Sequence, residues 1–196
     1  MSQVWQEVAR FGKKAVASGL TSSRFGNISL RREGRIFITT AGSMLDELDE
    51  SQVVEVGLTG PCPVNASSET CVHLAIYRST SFQAVIHTHS PYAVALSLLE
   101  EGLVEPIDGE GMRFLGAMPV VVGEFGTDEL AESVSSALKS RNACIVRGHG
   151  VFAGGKSLSD VYTAACMAEH SSQVRYLVRA FENQTKFRER TNSAFL

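Results

Sequence analysis

No uninterrupted apolar run in this chain approaches the ~20 residues of a membrane-spanning helix. The N-terminus lacks the apolar core of a signal peptide, because Glu7, Arg10, Lys13 and Lys14 break it up. No C-x-x-C pair occurs either: Cys62, Cys71, Cys144 and Cys166 stand apart, two of them in apolar segments, and read as free thiols rather than as a disulfide frame. A basic stripe is also missing. The net charge is −3, and Lys and Arg are scattered apart from short pairs such as Lys13-Lys14 and Arg31-Arg32, which excludes a nucleic-acid partner. Nor is there an internal repeat, a low-complexity tract or a linker. These absences point to the cytoplasm, with no membrane association. The expected organisation is one domain over residues 1–196, with 183–196 as a loose C-terminal tail. At 196 residues, 44% hydrophobic and 20% charged, such a domain needs neither disulfide nor metal to build a core.

The apolar spacing predicts a helix over 3–18, from Val4, Val8, Phe11 and Ala15, with Gly19 as its stop. Strands are predicted at 25–30 and 35–39 around a Glu33-Gly34 turn, and a third at 53–58. A helix follows from about 68 to 78. Strand 83–88 leads into a helix over 91–100, where Ser90 caps and Pro91 takes the first helical position. Residues 101–116 read as a long loop, 118–122 as a strand, and 127–139 as a helix capped by Thr127. Strands at 143–147 and 151–153 precede a last helix that opens on Ser157-x-x-Asp160. Its buried stripe would run from Leu158 through Val161, Tyr162, Ala165, Val174, Leu177 and Val178 to Phe181. Strands and helices intermingle throughout, so the class is α/β or α+β with a substantially antiparallel sheet.

His87-Thr88-His89 ends a strand, and residues i and i+2 of a strand share a face, so both rings can reach one ion while Thr88 turns away. His149 follows a second apolar strand, and Glu69 opens a helix. Three neutral imidazoles with a fourth position left open, or filled by a carboxylate, make a catalytic zinc site. Such an ion can polarise a ketone oxygen and hold an enediolate, and a carboxylate beside it can move the proton. Glu69 has a second reading, as a charge complementing the dipole of a helix capped by Ser67 or Ser68. His73 lies one helical turn on, either orienting Glu69 or filling the core, while His170 reads as a surface residue. Gly26-Asn27, the run from Thr39 to Ser43, and Ser67-Ser68 supply small hydroxyls, an amide and flexible backbone of the kind that wraps a phosphate.

In order, Gly26-Asn27-Ile28-Ser29, Ile38-Thr39-Thr40-Ala41-Gly42, Ser67-Ser68-Glu69, His87-Thr88-His89 and Arg147-Gly148-His149-Gly150 resemble the class II aldolase/adducin family over residues 3–180. Within it the pattern is most similar to the branch that cleaves L-fuculose 1-phosphate. The resemblance implies a three-layer α/β/α domain around a largely antiparallel sheet, and a homotetramer with sites at subunit interfaces. It also implies one Zn²⁺ per subunit on His87, His89 and His149, with Glu69 as a further ligand and as acid/base. A sugar phosphate would be held by Asn27, Gly42, Ser67 and Ser68, and a ketose 1-phosphate would be split into dihydroxyacetone phosphate and an aldehyde. Three departures stand out. Ala41 replaces the usual hydroxyl, so that either Thr40 or Ser43 substitutes for it or this contact is missing. Residues 105–115 offer Asp108, Glu110 and Arg113 but no tyrosine as the intersubunit proton donor. The chain also ends soon after its last helix. Alternatives within the family are a sugar-phosphate 4-epimerase, whose acid is usually Asp, and a methylthioribulose-1-phosphate dehydratase, which shares the Glu69-Thr70-x-x-His73 pattern. A non-catalytic adducin-like interaction domain is the alternative from another class.

Overall fold

A computed structural model describes residues 2–193, with side chains from 3 to 182. Eight strands form one sheet: β1 (Asn27–Arg32), β2 (Arg35–Thr39), β3 (Val53–Val56), β4 (Ala84–Thr88), β5 (Leu103–Val104), β6 (Met118–Val121), β7 (Ala143–Val146) and β8 (Gly150–Gly155). Their spatial order is β3-β2-β1-β4-β8-β7-β6-β5. Every neighbouring pair is antiparallel except β6 with β7. The expected largely antiparallel sheet is therefore present.

Period-two alternation gives the sheet two apolar faces. Ile28, Leu30, Ile86, Ile145 and Val151 pack on one side with α1 (Ser2–Ala17), α3 (Pro91–Leu99) and α5 (Leu158–Ser193). Ile36, Ile38, Val85, Cys144 and Phe152 pack on the other with α2 (Thr70–Ser79) and α4 (Asp128–Ala137). Two helical layers around one sheet complete the α/β/α arrangement.

Local chemistry accounts for the element ends. Glu33 and Gly34 have φ of 53° and 77°, the two left-handed residues that a tight β1–β2 hairpin requires. The Thr127 hydroxyl accepts from the Leu130 amide at 3.2 Å, with Asp128 and Glu129 in the first turn of α4. Ser157 caps the last helix by accepting from the Asp160 amide at 3.1 Å. β8 opens on Gly150 because a Cβ there would collide with the Thr88 carbonyl and come within 2.8 Å of the His87 ring.

Two expectations need correction. The stretch 101–116 is not one loop: Leu103–Val104 pairs with β6, and Gly111–Leu115 forms a π-helical turn whose Gly111 amide donates to Asp108 Oδ2 at 2.8 Å. Two-residue strands fall below the length at which periodicity can be read. The expected loose tail, 183–196, continues the backbone of α5 as far as Ser193; residues 194–196 lie outside the described residues. Finally, the α5 stripe is buried only in its first half. Leu177 and Val178 are each 43% exposed and Phe181 67%. A 36-residue helix spans about 54 Å and outruns strands of four to six residues, so its far end has no sheet beneath it. Among the described residues no helix is long and apolar enough to cross a membrane. All four cysteines are free.

Candidate active site

β4 and β8 pair in antiparallel register with His87 opposite Phe152 and Thr88 opposite Val151. This register puts the His87 and His89 rings on the α2/α4 face, while the Thr88 hydroxyl points the other way and bonds the Ser90 hydroxyl at 2.9 Å. His149 comes from the tight turn between β7 and β8, where its amide donates to the Val146 carbonyl at 3.0 Å and Gly148 takes a φ of 69°. The three rings meet: centroids are 4.7 Å apart for His87–His149, and 4.8 Å for both His87–His89 and His89–His149. One ligand nitrogen or more from each lies within 4.8 Å of the others.

Glu69 joins them from the head of α2. Its Oε2 lies 3.2 Å from His87 Nε2 and its Oε1 3.9 Å from His149 Nδ1. As the N-cap residue it makes no side-chain capping bond, so its carboxylate faces the imidazoles rather than the helix amides. The carboxylate is 1% exposed, and Oε1 has no hydrogen-bond partner among the described residues. Oε2 accepts from Asn27 Nδ2 at 2.9 Å. Burial raises the carboxyl to about 7, opposed by the Asn27 bond.

The imidazoles are held neutral. Burial lowers His89 to about 4, with the neighbouring His149 adding to the effect. His87 falls well below its usual value through burial and the two adjacent rings, and His149 is lowered by burial. His87 Nδ1 lies 3.1 Å from the Val151 carbonyl, which can only accept, so that nitrogen carries the proton and Nε2 presents a lone pair. Around the trio, Phe152 stacks on His87 at 4.2 Å, Phe25 on His89 at 5.3 Å, and Phe125 meets His149 edge-on at 5.4 Å.

This donor set fits a divalent cation. The separations of 3.1 Å between the Nε2 atoms of His87 and His89, and 3.2 Å from His87 Nε2 to Glu69, are close to the ~3.3 Å between ligands of a tetrahedral zinc. A buried carboxylate oxygen without a partner is what an ion's ligand looks like in its absence.

The residues expected to hold a phosphate lie on neighbouring loops. Thr40 pairs with Ala66 in an isolated bridge, and Ser67 donates its amide to the Thr39 carbonyl at 3.1 Å, which ties the 39–43 turn to the head of α2. Gly42 and Ser68 are exposed and Ser67 is buried, its hydroxyl accepting from the Glu69 amide at 3.4 Å. Thr40 and Ser43 hydroxyls bond each other at 2.6 Å. Asn27 differs from this group, because both ends of its amide are engaged in the interior, on Glu69 and on His73. His170 is exposed, as expected.

Against known proteins, residues 6–176 match the family described as Class II Aldolase and Adducin N-terminal domain. The chain belongs to the class II aldolase/adducin family. It is 31% identical over 183 residues to a 5-deoxy-D-ribulose 1-phosphate aldolase of Bacillus thuringiensis, covering 89% of this chain and 85% of that one. It is 34% identical over 160 residues to an L-fuculose phosphate aldolase of Methanococcus vannielii, covering 80% and 87%. The crystal structure of an L-fuculose-1-phosphate aldolase from Thermus thermophilus superposes with a TM-score of 0.89 at 34% identity, covering 93% and 97%. These class II aldolases are lyases, and their fold is the one described above.

Two features of the site were not visible in the sequence: the Val151 carbonyl that sets the His87 tautomer, and the polar chain behind Asn27. The second left a trace, for Glu69, His73 and Tyr77 recur every four residues on one helical face, and Asn27 and Ser29 alternate onto one face of β1.

Proposed function

We propose that this chain is a zinc-dependent aldolase that cleaves a ketose 1-phosphate, of the L-fuculose or 5-deoxyribulose type, to dihydroxyacetone phosphate and an aldehyde. The observation that carries the reading is the placement of Glu69, buried and with one oxygen unpartnered, against three neutral imidazoles. The names of the two relatives support the substrate class, since both are ketose phosphates.

His87, His89 and His149 would hold the ion, with Glu69 as a further ligand. Bound there, zinc supplies a Lewis acid for the C2 carbonyl oxygen and steadies the negative charge that gathers on it. In the cleavage direction the C3–C4 bond breaks, its electron pair moves toward C2, and the C4 hydroxyl gives up its proton as the aldehyde forms. Asp108 or Glu110 of a neighbouring subunit takes that proton. C3, which becomes the hydroxymethyl carbon of dihydroxyacetone phosphate, takes a proton from Glu69. A carboxyl raised to about 7 is suited to this, because both protonation states are populated at neutral pH. Gly42, Ser67 and Ser68 hold the phosphate beside the head of α2, and the second N–H of Asn27 Nδ2 is the donor that Asn27 can add. The Phe25 and Phe125 rings shield the imidazoles from water.

The active form is a cytoplasmic homotetramer with sites between subunits. The exposed apolar side chains Leu98, Leu99, Met112 and Phe114, 52–63% accessible in the single chain, support an assembly that covers them.

Incubation of the zinc-loaded protein with L-fuculose 1-phosphate, 5-deoxy-D-ribulose 1-phosphate, ribulose 5-phosphate and methylthioribulose 1-phosphate, with products identified by mass, tests the reading. Dihydroxyacetone phosphate supports it; an epimer, or the loss of a water from any of them, replaces it with the epimerase or the dehydratase. Glu69→Gln is expected to retain zinc and lose ~10²-fold or more in turnover, and near-normal turnover would remove Glu69 from the mechanism.

A further inference from the structure

Behind Glu69 a continuous line of buried polar groups runs from helix to strand and back. Glu69 Oε2 accepts from Asn27 Nδ2 at 2.9 Å, and Asn27 Oδ1 lies 2.6 Å from His73 Nε2. His73 Nδ1 lies 2.7 Å from the Ser29 hydroxyl, which lies 2.8 Å from the Tyr77 hydroxyl. None of these residues is more than 6% exposed. Glu69, His73 and Tyr77 come from successive turns of α2, Asn27 and Ser29 from alternate positions of β1, so each bond is a rung between the two elements.

The chemistry of the end group fixes the direction of every rung. A carboxylate offers only acceptors, so the amide nitrogen of Asn27 must face it and the amide oxygen must face His73. His73 then has to donate from Nε2, which leaves Nδ1 as an acceptor for the Ser29 proton. Ser29 in turn accepts from Tyr77. The arrangement requires a neutral His73 ring, since a doubly protonated ring would have no acceptor for Ser29. Phe152 closes the pocket: its ring meets His73 at 5.9 Å and stacks on His87 at 4.2 Å.

Simple core filling does not account for this. Apolar side chains would fill the same space without burying four polar ones, and the hydrogen bonds converge on one oxygen of one acid while leaving its other oxygen open. Without His73, the Asn27 amide oxygen loses its partner, and the Glu69 carboxylate alone is left to hold the amide.

We propose that His73, anchored by Ser29 and Tyr77, is a positioning residue that sets the orientation of the Asn27 amide and through it aims the Glu69 carboxylate with Oε1 toward the reacting carbon. The inference rests on the aldolase reading for its kinetic consequence, but not for its geometry.

Two measurements test it. Long-range ¹H–¹⁵N spectra of the purified protein report the His73 tautomer directly, whether or not any substrate is turned over. A neutral ring protonated on Nε2 from about pH 5 to 8, which becomes a tautomer mixture in Asn27→Ala, is expected; an Nδ1-protonated or charged His73 overturns the proposal. In the zinc-loaded enzyme, His73→Leu should lower kcat by ~10- to 100-fold with KM changed less than about threefold and zinc content unchanged. His73→Gln, whose amide can still donate to Asn27, should recover most of that loss. Unaltered kcat in His73→Leu, or no recovery in a folded His73→Gln, overturns it. If His73→Leu fails to fold, Tyr77→Phe and His73→Gln carry the kinetic arm. If the native enzyme cleaves no ketose phosphate, the aldolase reading falls, and the tautomer alone decides whether this chain is ordered as described.

Discussion

Replacing Glu69 by Gln should stabilise the metal-free protein at neutral and alkaline pH while abolishing its chemistry. The carboxyl titrates near 4.5 when the chain is unfolded and near 7 when folded, because burial penalises its charged form. Below pH 4.5 both states hold the proton, and folding gains nothing from removing the acid. Between 4.5 and 7 the unfolded chain sheds its proton while the folded chain keeps it, so stability falls as pH rises. Above 7 the folded chain must carry a buried charge, and the accumulated loss is about 3 kcal/mol, at ~1.4 kcal/mol for each tenfold step in acidity. Glutamine does not titrate, its oxygen can still accept from Asn27 at the Oε2 position, and its NH₂ then takes the place of Oε1, on the side of His149 Nδ1. The variant's advantage should therefore grow from near zero in acid to about 3 kcal/mol at pH 8. With a urea m-value of roughly 2 kcal/mol/M this moves the unfolding midpoint up by about 1.5 M. Urea titrations of both proteins with chelator at pH 4.5 and 8, followed by circular dichroism, provide the comparison. An advantage equal at both pH values, or a wild type more stable at pH 8, would refute the assignment of a charge penalty to this carboxyl.

His89→Ala should lose zinc and turnover with modest loss of fold, as His89 is not among the buried core residues; wild-type zinc occupancy in that variant would refute its role as ligand. Gly150→Ala should lose about 1–3 kcal/mol and bind zinc more weakly, because the added methyl group collides with the Thr88 carbonyl and presses on the His87 ring; equal zinc affinity by competition with a chromogenic chelator would show that β4 and β8 absorb the strain. Glu169→Ala should cost roughly 2 kcal/mol in thermal unfolding, since its two oxygens accept the Tyr92 and Ala93 amides at 3.0 Å each and Ser90, at the N-cap of α3, makes no side-chain capping bond.

The sequence disclosed the parts of this protein that repeat with a period or announce themselves by a cap. The helices expected over 3–18 and 127–139, found at Ser2–Ala17 and Asp128–Ala137, and the hairpin at Glu33-Gly34 follow from spacing and turn chemistry alone. His87 and His89 were legible for the same reason, because alternation along a strand dictates that they share a face. Their meeting with His149 was not a matter of local pattern: it depends on β8 lying between β4 and β7, a choice made by long-range pairing. The motif resemblance supplied what spacing could not. Leu103–Val104 escaped notice because two residues have no period. The far stripe of α5 misled for the opposite reason, since its apolar spacing is regular but continues beyond the sheet. The role of Asn27 in the interior was hidden because an amide beside a glycine reads equally well as a ligand-binding turn.

Acid and imidazoles come from different layers: the rings ride on strand ends and their turn, the carboxylate on the first residue before α2. Sliding or tilting that helix over the β-sheet would move the carboxylate while the three nitrogens keep their mutual geometry. A fold with this division of labour can change where its acid stands by repacking a single helix, with no need to rebuild the imidazole trio.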